Sequence, residues 1–156
     1  MRLFHASQND YSHGQRIVAT SQSAFYPLAV PALDRAKPIG LSSRDICLCA
    51  TDSLAFAYLF AIKQQWPSDR IRLYEVNMKN FHRAPMAIVH AIQRRLEKSE
   101  DISALLSEYW SPKHTWHYFE CIGPEMEIIG PISAPCINEI VMSLNYQGDA
   151  NAAACL

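Results

Sequence analysis

The amino-acid sequence predicts a single α+β domain, and three observations lead to this class. Strand-like and helix-like segments are interleaved along 156 residues without regular strand–helix–strand repeats. The chain is long enough for one well-formed core and too short for two domains of ordinary size. No internal repeat or low-complexity segment interrupts it. We therefore expect one domain over residues 1–145, followed by a flexible tail over residues 146–156 that carries no core pattern.

The first half of the chain is predicted to contain two strands and one buried helix. Residues 2–6 alternate weakly between polar and apolar side chains, and residues 46–50 form a short apolar run. The segment that follows, residues 53–65, is apolar on almost every side and is predicted to form a helix. Thr51 or Asp52 would be its N-cap, and a Trp-Pro step ends it.

A long irregular segment lies between these elements. Residues 18–45 contain three prolines and show no sustained period, so we expect a loop with at most one helical turn near residues 33–36. Loops of this length in compact domains are usually functional or mobile.

The second half of the chain is predicted to contain four strands and two helices. The helices begin at Pro85 and at residue 102, because apolar side chains recur there every three or four positions. The second of them is expected to end near Trp110. The predicted strands are residues 70–77, 116–122, 126–129 and 139–144.

Composition excludes several classes of protein. The 14 basic and 15 acidic residues give a net charge near zero, which does not favour binding to nucleic acid or to an anionic membrane. Five cysteines without Cys-x-x-Cys spacing indicate neither a disulfide framework nor a zinc knuckle. The N-terminus has no apolar signal-peptide core, and no apolar run is long enough to span a membrane. We expect a soluble protein of a reducing cytoplasm that does not bind a membrane.

Three short motifs occur in a suggestive order. Residues 3–7 read LFHAS, residues 46–58 read ICLCATDSLAFAY, and residues 118–122 read YFECI. They resemble the motifs of ADP-ribosyltransferases of the His-Tyr-Glu group, which includes diphtheria-type toxins, poly(ADP-ribose) polymerases and small bacterial or phage enzymes. In that group a His on the first strand, a Tyr on a helix after a later strand, and a Glu on a late strand form the site. Here the matching residues are His5, Tyr58 and Glu120.

The resemblance implies a fold, a substrate and a role for each residue. The fold would consist of two small, twisted, mostly antiparallel sheets packed face to face with flanking helices. The domain over residues 1–145 would be catalytic, would use NAD as a substrate and would need no metal. NAD would be held by His5, Ala6, Ser7, Thr51 and Tyr58, and the catalytic residues would be His5, Tyr58 and Glu120.

These roles match what the reaction requires. Cleavage of the bond between nicotinamide and ribose needs an aromatic face for the ring, orientation of the ribose, and a negative charge near the developing oxocarbenium ion. Tyr58 would stack on the nicotinamide, His5 would bind a ribose hydroxyl, and the Ala6 backbone would pair with the carboxamide. Glu120 would offset the positive charge and assist the acceptor nucleophile.

Simpler interpretations remain beside this one. His5 can be an ordinary histidine of a first strand, and Tyr58 can be a core aromatic of an apolar helix. Glu120 is less easily explained, because an unpaired carboxylate is costly to bury among apolar strand residues. A metal site can be assembled on paper from four histidines, but their spacing does not match a ligand motif. These histidines are His82, His90, His114 and His117.

Two kinds of function follow as hypotheses. The first is a mono-ADP-ribosyltransferase that modifies a macromolecule or small molecule, as a toxin, effector or phage protein delivered into a host cytoplasm would do. The second is an inactive module of the same fold that binds NAD or a protein. An RNA 2′-phosphotransferase is a related enzymatic alternative, although the basic residues it needs are not evident. The sequence names neither the acceptor nor an oligomeric state.

Overall fold

The computed structural model of the protein describes residues 1–20, 22 and 25–156. Helices and strands are interleaved along these residues, which confirms the α+β class. The described strands are β1 (Leu3–Ser7), β2 (Arg16–Val18), β3 (Leu48–Thr51), β4 (Arg72–Asn77), β5 (His82–Pro85), β6 (Phe119–Gly123) and β7 (Glu125–Pro131). The described α-helices are α1 (Ala29–Arg35), α2 (Leu54–Lys63), α3 (Met86–Glu97), α4 (Ser103–Trp110) and α5 (Glu139–Ala154).

The seven described strands form one antiparallel sheet in the order β2, β7, β4, β1, β3, β6, β5. This differs from the expectation of two sheets packed face to face. The physical reason is that β1 uses both of its edges, pairing with β4 along its whole length and with β3 at Phe4 and Thr51 alone. One residue pair thus joins the two halves of the sheet.

The register places the predicted site residues near this junction. Thr51, the last residue of β3, is opposite Phe4 of β1 on one side and opposite Glu120 of β6 on the other. His5 follows Phe4 directly, and its Cα partner on β4 is Tyr74. The central strand and the late strand therefore bring the His5 and Glu120 backbones to the same region of the sheet.

Helix α2 begins immediately after β3. Its N-cap is Ser53, whose side chain accepts a hydrogen bond from the Phe56 amide at 3.2 Å, rather than Thr51 or Asp52 as expected. Thr51 instead supports the cap, because its hydroxyl oxygen accepts from the Ser53 amide at 3.2 Å. The helix ends at Lys63, before Gln65 adopts a positive φ of 57° and the Trp-Pro step follows.

The main core lies between the sheet and the helices that follow β5. It contains fully buried side chains from α3, α4 and β6, among them Ile88, Ile92, Tyr109 and Ile122. Helices α3 and α4 were predicted from their apolar periods, and the structure confirms both. None of the helices in the described ranges is long and apolar enough to cross a bilayer.

The C-terminal segment differs most from the sequence prediction. Residues 139–144 were predicted to be a strand, but they begin α5. The helix is started by Asn138, whose side chain accepts from the Val141 amide at 3.2 Å, and the β-branched residues that suggested a strand lie in its first turn. Residues 146–154, expected to belong to a flexible tail, continue this helix, and Asp149 is 2% exposed.

Two short strands were not predicted. Strands β2 and β5 lie at the two edges of the sheet, where each pairs with one neighbour. β5 ends at Pro85, which is tolerated at a strand end, and α3 begins at the next residue. Segments this short carry too few side chains to show an alternating pattern in the sequence.

Candidate functional site

A cleft of about 510 Å³ opens where β1, β3 and α2 meet. Its walls are mainly aromatic and aliphatic, with a small number of polar side chains between them. Cavities of this form are typical of sites for small molecules and cofactors. Four of the residues predicted for the site line the cleft, namely His5, Ala6, Thr51 and Glu120.

One ring nitrogen of His5 bonds to the protein, and the other has no hydrogen-bond partner among the described residues. Its Nδ1 lies 2.8 Å from the Cys49 carbonyl oxygen. Because a carbonyl oxygen only accepts, Nδ1 carries the proton and donates it to this bond. Burial lowers the pKa of His5, so the ring is neutral near pH 7 and Nε2 keeps a lone pair. His5 is therefore oriented as a hydrogen-bond acceptor at the cleft.

Glu120 is a buried carboxylate with three hydrogen bonds. It is 5% exposed, although it forms part of the cleft wall. The Arg44 guanidinium donates through Nε to Oε1 at 2.9 Å and through Nη2 to Oε2 at 3.0 Å. The Tyr109 hydroxyl donates to Oε1 at 2.7 Å. This arrangement explains how a charged residue is accommodated in an apolar strand.

The charges around Glu120 reinforce one another. Burial acts to lower the pKa of Arg44, but Glu120 together with the neighbouring Cys49, Tyr109 and Cys47 side chains raises this pKa well above its ordinary value. Burial and the negative charge of Glu120 raise the pKa of Tyr109, so its phenol stays protonated and remains a donor. Oε2 accepts the Arg44 bond alone among the described partners and keeps capacity for a ligand.

Arg44 was not predicted as a site residue, and its position depends on Asp34. The Asp34 carboxylate accepts from the Arg44 amide at 2.6 Å and from the Ser43 hydroxyl at 2.5 Å. These bonds fix the backbone that precedes β3 and direct the guanidinium inward. The sequence did offer one signal, because Arg44 lies in the irregular segment over residues 18–45, and loops of that length are usually functional or mobile.

The remaining NAD-binding residues expected from the sequence take different places. Ala6 and Thr51 line the cleft, as noted above. Ser7 is buried, and its hydroxyl oxygen accepts from the Asn9 amide at 3.1 Å, which stabilises the turn after β1. Ser7 does not belong to the residues that line the cleft.

Tyr58 does not belong to the described residues that line the cleft. It packs against the apolar cluster of Phe4, Ala57 and Leu73, of which Phe4 and Ala57 also line the cleft. Residues two positions apart on a helix differ by about 200° in direction, so Phe56 and Phe60 face the cleft when Tyr58 does not. The structure thus brings His5 and Glu120 to one cavity and places Tyr58 outside it.

Aromatic rings form one wall and the rim of the cleft. Phe60 contacts Phe25 edge to face, with 6.4 Å between ring centroids, and contacts Trp66 in the same way at 6.0 Å. All three rings line the cleft, and Phe60 is 38% exposed. These rings offer flat apolar faces to a ligand with an aromatic group.

Three of the four histidines considered for a metal site have hydrogen-bond or ion-pair partners, and the fourth, His90, contacts the Tyr26 ring edge to face. His114 pairs with the buried Glu108 and His117 with the buried Asp149, each through Nδ1. His82 makes a hydrogen bond of 3.1 Å between Nε2 and the Tyr109 carbonyl oxygen. Across the described parts of the chain, no group of three His, Cys, Asp or Glu residues is placed to hold a metal ion.

Comparison with known proteins gives no assignment. No protein-family model matches the chain, and no curated protein matches it. The function is therefore argued from the residues of the cleft.

Proposed function

We propose that the protein is a mono-ADP-ribosyltransferase with an ADP-ribosyltransferase-like fold. It would take NAD as a substrate, release nicotinamide and transfer ADP-ribose to a macromolecular or small-molecule acceptor, as a toxin, effector or phage protein acting in a host cytoplasm would. One observation carries the proposal. His5 and Glu120, which are far apart in the sequence, open on the same aromatic-walled cleft together with Ala6 and Thr51.

The cleft residues supply what the reaction requires. The neutral His5 can accept a hydrogen bond from a ribose hydroxyl through Nε2. As the glycosidic C–N bond breaks, nicotinamide leaves with the electron pair and the ribose becomes positive. The Glu120 carboxylate offsets that charge in a site that is largely shielded from water. The acceptor then forms the new bond to the ribose carbon and loses a proton.

The aromatic role expected of Tyr58 is assigned here to other rings. Phe56 and Phe60 lie on the face of α2 that lines the cleft, so either can cover a flat nicotinamide ring. Arg44 holds Glu120 in place through two hydrogen bonds. Arg44 is a positioning residue, because it influences the reaction through the Glu120 carboxylate that it orients.

A second candidate is a module that binds NAD without transferring ADP-ribose. The observation that favours it is the complete pairing of the Glu120 charge by Arg44, together with the position of Tyr58 outside the cleft. An RNA 2′-phosphotransferase is less favoured, because Arg44 is the one arginine among the described residues that line the cleft and no lysine accompanies it.

The decisive experiment compares Glu120→Gln with the wild-type protein. Gln keeps the volume and removes the charge, so nicotinamide release from labelled NAD should fall at least about a hundredfold. NAD affinity, measured by calorimetry, should change no more than a few-fold. Glu127→Gln is the matched control, because Glu127 is an exposed residue of β7, the next strand along the chain, and should change neither quantity. Equal losses in both variants would contradict the proposal.

The same measurements separate the two candidates. If the wild-type protein binds NAD but releases no nicotinamide, either alone or with a cell lysate as the source of acceptor, it is a binding module. Glu120→Gln leaves the buried charge of Arg44 uncompensated, so this variant is less stable than the wild type. The measured rate of each variant is therefore divided by its folded fraction. His5→Ala leaves the ion pair intact and should weaken NAD binding about tenfold, the cost of one hydrogen bond in a confined site.

A further inference from the structure

Two cysteine side chains lie next to each other on the wall of the cleft. Cys47 Sγ and Cys49 Sγ are 3.8 Å apart, and both residues line the cavity. Neither is fully buried, so a small reagent in the cleft can reach them. The proposed transferase chemistry makes no use of either sulfur.

We propose that Cys47 and Cys49 form a modification site that reacts with a peroxide and closes to an intramolecular disulfide. The inference rests on the position of the two sulfurs and is independent of the proposed transferase activity. Disulfides that form within reducing compartments are usually transient and either catalytic or redox-sensing. A dithiol in a solvent-connected cleft suits this role better than a structural one.

The surroundings distinguish the two thiols. The Cys47 thiol donates its one proton to the Arg44 carbonyl oxygen at 3.2 Å, and this bond favours the thiol form of Cys47. The neighbouring Cys47 thiol and the positive charge of Arg44 lower the pKa of Cys49 against the effect of burial, whereas Cys49 and burial raise the pKa of Cys47. Since the thiolate is the nucleophile, Cys49 is the residue that attacks and Cys47 is the one that resolves.

The chemistry balances with a peroxide as the oxidant. The Cys49 thiolate attacks one peroxide oxygen, the O–O bond breaks, and the leaving hydroxide takes a proton to become water. The sulfur, now a sulfenic acid, has lost two electrons to the peroxide. Cys47 then gives up its proton and attacks Cys49 Sγ, the S–O bond breaks, and the second oxygen leaves as water. The product is the Cys47–Cys49 disulfide.

Bond formation requires the two sulfurs to approach from 3.8 Å to about 2.0 Å. Cys49 is held in β3, opposite Ile122 of β6. Cys47 precedes the first paired residue of that strand, Leu48, so it can shift without breaking a described ladder pair. Its thiol now donates to the Arg44 carbonyl oxygen at 3.2 Å, and this bond is lost on oxidation.

The test uses the full chain with Cys136→Ser and Cys155→Ser, because these exposed cysteines can form disulfides between molecules. The protein is treated with hydrogen peroxide, blocked with N-ethylmaleimide and digested with trypsin. Cleavage after Arg44 and Lys63 yields residues 45–63, a peptide that contains Cys47 and Cys49 as its cysteines. After peroxide treatment we expect this peptide to carry no maleimide adduct. Its mass should be lower than that of the dithiol form by two hydrogen atoms. Cys121, in a separate peptide, is the internal control, since burial raises its pKa to about 12.

Two comparisons decide whether the fold creates this reactivity. In Cys47→Ser, dimedone should label Cys49 as a sulfenic acid, and in Cys49→Ser the same peptide should carry no label. The folded protein should form the disulfide at least about tenfold faster than the same chain unfolded in guanidinium. Equal rates, a peptide with both thiols alkylated after peroxide, or dimedone on Cys47 in the Cys49→Ser variant would each overturn the proposal.

Discussion

At the residue scale, the cleft contains the buried carboxylate of Glu120, whose burial in an apolar strand would be costly without a partner. Arg44 and Glu120 are each 5% exposed, so neither charge is solvated by bulk water. A buried ion pair of this kind is stable when its geometry is good and its remaining polar atoms are bonded, and here the Tyr109 hydroxyl supplies the additional bond. Removal of one partner leaves the other charge uncompensated.

The pair should therefore show strong energetic coupling. Glu120→Gln and Arg44→Met are each expected to lower the free energy of unfolding by about 3 to 5 kcal/mol. The double variant should lose less than the sum, because the two uncompensated charges disappear together. Urea unfolding of the four proteins measures this. Glu75→Gln is the surface control, since Glu75 pairs with the exposed Arg2 and its loss should cost much less stability than either change in the buried pair. Additive losses at positions 44 and 120 would refute the coupling.

The sequence revealed one half of this pair. Glu120 was noticed because a carboxylate between Phe119 and Cys121 needs an explanation, and His5 because of its short motif. Arg44 lies in a segment without periodicity, so its inward direction depends on hydrogen bonds to Asp34 that no local pattern encodes. The partner of a buried charge is a tertiary feature, and it becomes visible when the chain is folded.

At the element scale, α2 has two faces with different tasks. One face lines the cleft with Phe56 and Phe60, and the other packs Tyr58 against Phe4 and Leu73. The sequence predicted the helix and its position correctly, but not which aromatic faces the cavity. The helix is apolar on all sides, so its composition does not distinguish the two faces.

This division predicts opposite outcomes for two neighbouring aromatics. Phe60→Ala should weaken NAD binding roughly two- to tenfold, the value of one aromatic stacking contact, with little loss of stability because Phe60 is partly exposed. Tyr58→Ala should instead cost about 1 to 2 kcal/mol of stability and leave NAD affinity of the folded protein unchanged. Calorimetry and thermal unfolding of both variants supply the data. If Tyr58→Ala weakened NAD binding and Phe60→Ala did not, Tyr58 would belong to the binding site.

Local sequence signals were sufficient for some elements and insufficient for others. Helices α3 and α4 carry clear apolar periods and were predicted close to their observed bounds. The edge strands β2 and β5 are too short for a pattern, and α5 begins with β-branched residues that favour a strand. In α5 the Asn138 cap and the buried Asp149 decide the outcome, and the second of these acts through tertiary contacts.

At the scale of the whole molecule, α5 connects the end of the chain to the strand that carries Glu120. The Asp149 carboxylate accepts hydrogen bonds from the amides of His117 and Tyr118 at 3.1 Å, and from His117 Nδ1 at 2.8 Å. Two residues after Tyr118 comes Glu120. Ala153, one turn beyond Asp149, is buried in the main core. The final helix thus fixes the entry of β6 and, through it, the floor of the cleft.

Loss of this connection should affect the fold rather than the tail alone. Asp149→Ala removes the acceptor of two backbone N–H groups, that of Tyr118 in a buried position and that of the exposed His117, and an unsatisfied buried group costs about 1 to 3 kcal/mol. We expect a loss of about 1 to 3 kcal/mol in urea unfolding, and faster amide hydrogen exchange at His117 and Tyr118. Asn151→Ala is the matched control on the same helix, because Asn151 is exposed and bonds to Gln147 alone among the described side chains. If Asp149→Ala is as stable as that control, residues 146–156 are the flexible tail that the sequence predicted, and α5 does not support the cleft.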